Sequence, residues 1–147
     1  VLSGGKYREP QELGLSRVAA KKAFRQAELV PKDVNIVEVH DATSFCEIYQ
    51  LEMLGFCEVG AGGKFVEEGH TKLGGRLPVN LSGGLVSKGH PVGATGLSMV
   101  HELALQLKGE AGERQSERNK IGLAENGGGV IGFEEAACSV IILEGSR

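Results

Sequence analysis

His90 stands between Gly89 and Pro91, in a stretch that also holds Ser82-Gly83-Gly84, Gly93 and Gly96. Glycine supplies backbone geometry that other residues resist, and a residue before proline is pushed out of the helical region, so the turn fixes the imidazole in space. The helix expected just downstream presents its positive end nearby, which disfavours imidazolium and leaves a neutral ring able to accept a proton or donate one N–H bond. That suits a general base. It suits equally a histidine that only staples a tight turn, and the residues by themselves leave both readings open. A second cluster, Gly127-Gly128-Gly129 behind Glu125-Asn126, is of the kind that lets backbone amides approach a ligand closely. His70 falls in a Gly-rich charged segment and His101 on the polar side of a helix, and no two histidines have metal-ligand spacing, so no metal is expected. Cys46, Cys57 and Cys138 form no C-x-x-C pair and are odd in number, which favours reduced thiols in packing roles.

The elements that must carry these residues follow from periodicity. Residues 1–15, with Gly4, Gly5 and Pro10, show none and read as a lead-in segment; the domain is expected over 16–147. Ala20, Ala23, Phe24 and Ala27 repeat at helical spacing opposite Arg17, Lys21, Lys22 and Arg25, and Pro31 marks the stop. Val34 to Val39 is β-branched and of strand length. Ser44 with Glu47 has the form of a capping box, which predicts a helix to about Leu54, too apolar around its circumference for a surface helix. Residues 55–76 read as a Gly-rich loop and Leu77–Asn80 as a short strand. A helix from about Ala94 to Lys108 follows, with Leu97, Val100, Leu103, Ala104 and Leu107 on one face. Ile121–Ala124 predicts a strand, and the apolar run Ala136–Leu143 one buried on both faces. Strands alternating with helices imply an α/β fold, a mixed sheet with helices packed on it in layers.

Composition bounds the class. The chain has 147 residues, 41% hydrophobic and 24% charged, which fits one globular domain with a real core. A net charge of −3 with scattered Lys and Arg offers no basic stripe, so nucleic acid is not an expected partner. No apolar run approaches the roughly 20 residues that span a bilayer, and no leader pattern opens the chain, so no membrane partner and a cytoplasmic setting are expected.

The motif Ser82-Gly83-Gly84…Gly89-His90-Pro91-x-Gly93-Ala94-x-Gly96 resembles the histidine loop of the thiolases. The surrounding sequence looks closest to the sterol carrier protein x-type thiolases and their archaeal and bacterial acetyl-CoA acetyltransferase-like relatives, across nearly all of residues 16–143. It includes Val37-Glu38-Val39-His40-Asp41, Leu54-Gly55-Phe56-Cys57, Gly62-Gly63, Gly74-Gly75 and Leu107 to Gly112.

The resemblance implies a thiolase-like C-terminal domain. In it His90 takes the proton from a nucleophilic cysteine of the N-terminal half, whose motif this chain lacks. It further implies that His40 supports an oxyanion beside His90 and that Ala42, Thr43 and Gly127–Gly129 lie against the substrate. Asp41 would fix the His40 ring or, on the preferred reading, cap the next helix. Two departures stand out. Ala42 and Thr43 follow His40-Asp41 where sterol carrier-type enzymes have Cys-Phe, and Glu125 stands where ordinary thiolases have an acid/base cysteine. Burial would suit Glu125 to take an α-proton; it would serve as well by anchoring loop amides.

The implied activity is thiolysis of a 3-oxoacyl-CoA or the reverse Claisen condensation, with the coenzyme A thioester as substrate and no cofactor. The implied partners are an N-terminal thiolase half, acyl-CoA and further copies in a homo-oligomer. The alternatives are a retro-aldol lyase on a branched or steroid-derived acyl-CoA, and a non-catalytic acyl-CoA-binding or dimerisation scaffold.

Overall fold

The computed structural model describes residues 14–129 and 135–145. Its elements are α1 (Leu15–Ala27), β1 (Ile36–Glu38), α2 (Ser44–Met53), α3 (Gly62–Glu67), α4 (Gly84–Lys88), α5 (Thr95–Lys108), β2 (Ile121–Gly128) and β3 (Ala137–Glu144). The strands form one mixed sheet with β2 in the middle, parallel to β1 and antiparallel to β3. Of the lead-in, residues 1–13 lie outside the described residues.

Side chains alternate across a strand, so β2 feeds two cores. Leu123, with no exposed surface, packs among Ala20 and Phe24 of α1, Val37 and Val39, and Leu51 of α2. Its neighbour Ala124 turns the other way, to Met99 and Leu103 of α5 and to Ile36. The same alternation continues past the apolar residues. Glu125 therefore shares the α1 face with Leu123, and Asn126 shares the α5 face with Ala124.

The register agrees: Glu125 lies opposite Val140, and Gly127 opposite Cys138. Val140 also packs against the α1 core. Paired residues in an antiparallel ladder share a face, so Cys138 is on the α1 side too.

Several sequence expectations are corrected. Strand β2 does not stop at Ala124 but runs to Gly128, because the apolar run of β3 gives even Glu125, Asn126 and the glycines a full antiparallel partner. That run is not buried on both faces; it is an edge strand whose residues alternate between exposed and half-buried. Leu77–Asn80 forms no strand of its own and touches the sheet through a single parallel bridge, Val79 to Val37. The segment expected as a loop contains α3, and α4 had no periodic signal. Helix α2 is capped by Thr43, whose hydroxyl accepts from the Cys46 N–H, and not by Ser44.

Candidate active site

His40 follows β1 by two residues and turns its ring to the α5 side. Its Nδ1 donates to the Asn126 side-chain oxygen at 3.0 Å. An amide oxygen only accepts, so that nitrogen carries the proton. His90 lies on the exposed turn between α4 and α5, and its Nδ1 is 2.7 Å from the Thr95 hydroxyl. The two imidazoles meet edge to face, with centroids 4.9 Å apart and planes at 85°. Fifty residues apart in sequence, they share one site at the β1 end of the α5 face.

Two buried carboxylates hold the histidine turn in place. Asp41 accepts from the N–H groups of Leu85 (2.7 Å) and Val86 (3.5 Å), the free amides at the start of α4. Asp41 thus caps a helix, as the sequence suggested, but a distant one and not α2. Gly84 makes this possible: it has φ +60, and any Cβ there would overlap the Asp41 carboxylate. Glu38, fully buried, accepts from the Ser82 N–H (3.2 Å) and hydroxyl (2.6 Å), while the Lys88 ammonium reaches Ser82 Oγ at 2.6 Å and Glu38 at 3.8 Å. Burial raises the Glu38 carboxyl, and the Ser82 hydrogen bonds and Lys88 partly offset it. Both ends of the segment preceding His90 are therefore tied to β1 and its extension.

Glu125 is positioned differently from the two rings. Its side chain has no exposed surface and lies on the α1 face, where one oxygen accepts from the His40 backbone N–H at 3.0 Å and the other faces the Cys138 thiol at 3.4 Å. Burial raises it to about 7, against the two hydrogen bonds and helped by the charge of Glu135. Burial also raises Cys138, with Glu125 adding to it. The residue that joins the histidines from this segment is the neighbour, Asn126. A strand extended through Gly128 would have exposed that in the sequence, since alternation separates adjacent residues onto opposite faces.

The remaining candidates spread out. Ala42 and Thr43 are exposed at the start of α2, beyond His40. Gly127 and Gly128 are ladder residues of β2 opposite Cys138 and Ala137. At Gly127 a Cβ would come within 2.6 Å of the Glu135 side chain, so this glycine makes room for a protein group. Gly129, at φ +67, leaves the strand. Cys46 meets the Thr43 hydroxyl at 3.2 Å, and burial raises the Cys57 thiol. His70 pairs with Glu68 at 3.2 Å and packs on Phe65. Among the described residues no helix is long and apolar enough to cross a membrane.

The Gly-His-Pro turn thus lies at the end of the parallel pair β1–β2, in a mixed sheet with helices on both faces. The thiolase C-terminal domain-like family matches residues 8–144, and this chain belongs to it. It is 50% identical over 114 residues to an acetyl-CoA acetyltransferase of Methanothermobacter thermautotrophicus, covering 78% of this chain and 30% of that protein. It is 45% identical over 132 residues to sterol carrier protein 2 of Bos taurus, covering 84% and 24%. Among solved structures, a chain of the Ltp2-ChsH2(DUF35) aldolase superposes with a TM-score of 0.78 at 23% identity, over 96% of this chain and 35% of that one. The chain thus spans only about a quarter to a third of the proteins it resembles.

Proposed function

We propose that this chain is the histidine-bearing half of an acyl-CoA thiolase or acetyl-CoA acetyltransferase. The observation that carries the reading is the pair of imidazoles in contact at 4.9 Å, each engaged through Nδ1, with His90 on a turn tied down by Asp41 and Glu38. His90 accepts the thiol proton of a cysteine from the N-terminal half. The sulfur then bonds to the carbonyl carbon and a leaving group departs, which in the condensation direction is coenzyme A from an acyl-CoA. In thiolysis of a 3-oxoacyl-CoA it is the acetyl-CoA enolate, which takes up a proton and leaves the shortened acyl group on the sulfur. His40, with its proton on Nδ1, holds through Nε2 a water that donates to the thioester oxygen. Ala42, Thr43 and the Gly127–Gly129 backbone are the contacts to the acyl-CoA. Glu125 faces away from the rings, so its part is to hold the His40 backbone and not to take an α-proton.

The test has two arms. The chain alone, given acetoacetyl-CoA and free coenzyme A, should show no turnover above a blank. Joined to its N-terminal half it should turn over, and His90→Ala should lower the rate at saturating substrate by at least ~10²-fold. A near-normal rate in that variant would leave His90 only its turn.

One observation favours a second reading, a retro-aldol lyase on a branched or steroid-derived acyl-CoA. The α5 face supplies two histidines as acid/base groups, with Ala42 inert and Glu125 turned away. Cleaving a β-hydroxyacyl-CoA needs a base for the hydroxyl but no acyl cysteine. The similar aldolase fold is compatible with this. Mass spectrometry of the joined enzyme after an acyl-CoA pulse separates the two: a covalent acyl adduct supports the thiolase, whereas cleavage of a β-hydroxyacyl-CoA without one supports the lyase.

A further inference from the structure

A histidine accepts a proton only through a ring nitrogen that carries none, so the base role of His90 depends on its tautomer. Nδ1 lies 2.7 Å from Thr95 Oγ1. The threonine hydroxyl has one proton, and the Pro91 carbonyl oxygen at 3.2 Å, one helical turn back, is in place to accept it. Toward His90 the oxygen is then an acceptor. In that arrangement the ring proton sits on Nδ1, and Nε2 keeps its lone pair.

The two partners differ in how firmly they are held. Thr95 is the first residue of α5 and only 2% exposed, on a helix that Met99 and Leu103 fix to the sheet. His90 sits on an exposed turn after Gly89, at φ +87. A single hydrogen bond thus passes the rigidity of a packed helix to an exposed ring.

We propose that Thr95 is a positioning residue that fixes His90 in the Nδ1–H tautomer and leaves Nε2 as the proton acceptor. Its catalytic consequence rests on His90 being the base of the proposed reaction; the tautomer itself is a property of this chain alone. His40 provides an internal comparison, because the Asn126 oxygen holds its proton on Nδ1 by an independent contact.

The experiment is long-range proton–nitrogen correlation NMR on the full chain labelled at histidine nitrogens, above the pH at which the rings titrate. The wild-type His90 should carry its proton on Nδ1. Thr95→Val keeps the side-chain shape but removes the acceptor, and should release His90 into a mixture with the Nε2–H form while His40 stays unchanged. Thr95→Ser should restore the wild-type pattern. Circular dichroism checks the fold, and if the valine variant does not fold, Thr95→Ala is read in the same way.

A wild-type His90 protonated on Nε2, or an unchanged tautomer in a folded hydroxyl-less variant, overturns the proposal. In the joined enzyme Thr95→Val should lower kcat by roughly tenfold with little change in KM, and serine should recover most of it. If the tautomer shifts while kcat does not, the tautomer assignment stands and the base role of His90 falls.

Discussion

At the scale of the residue, Glu125 makes the most specific physical demand. A carboxyl raised to about 7 from an ordinary 4.5 keeps its proton in the folded chain over a range where the unfolded chain has released it. In that window the folded state binds more protons than the unfolded state, so stability falls as pH rises from about 4.5 to about 7 and stops falling above. The full effect is on the order of 3 kcal/mol. Glu125→Gln imitates the protonated form and should remove much of the decline; burial raises Glu38 and Glu47 in the same direction, so some slope remains. Urea unfolding of both proteins at pH 5, 6, 7 and 8 reads it directly. An undiminished slope in the glutamine variant would assign the decline to other groups.

At the scale of the element, short helices here depend on single side chains. Thr43 caps α2, so Thr43→Ala should cost about 1 kcal/mol and Ser44→Ala close to nothing, by urea or thermal unfolding. Equal losses would return the cap to Ser44. Helix α4 has five residues, too few to be stable without outside help, and Asp41 provides that help from 44 positions away. Asp41→Ala should expose the amides of Leu85 and Val86 to faster hydrogen exchange while α5 stays protected. Gly84→Ala should be worse than an ordinary helix substitution, since it combines a left-handed φ with overlap on the Asp41 carboxylate. Unaltered exchange in Asp41→Ala would mean that the Glu38 contacts alone hold the turn.

At the scale of the molecule, several large apolar side chains are exposed: Val86 (68%), Val92 (80%) and Leu97 (73%) on and beside the histidine turn, and Phe45 (68%) at the start of α2. The far side of the sheet ends, among the described residues, on β3, an edge strand with Ile141 42% exposed. Monomers seldom leave contiguous apolar surface beyond a few hundred Å² uncovered, and long open edges invite pairing. With the chain spanning 30% of one relative and 24% of another, we expect it to self-associate or to need its N-terminal half for solubility. Light scattering at tens of micromolar decides: a monodisperse monomer that binds no hydrophobic dye would count against the half-enzyme reading.

The sequence alone determined the alternating α/β architecture, the long helices α1 and α5, and the constrained turn at His90, whose role it left open. Each is written locally, in helical spacing, β-branched runs, or a histidine braced by glycine and proline. It also carried His40, through a motif read as a unit. What only the tertiary structure decided are relations between distant segments. Antiparallel pairing with β3 extends β2 through Gly128, and the resulting alternation sends Glu125 to the α1 face and Asn126 to His40. Asp41 caps α4 across 44 residues, and Thr95 meets His90 only because Gly89 to Ala94 turns back on α5. None of these leaves a periodic signal. A side chain's partner across the fold is set by which strands pair and in which register, and that is a property of the packed sheet.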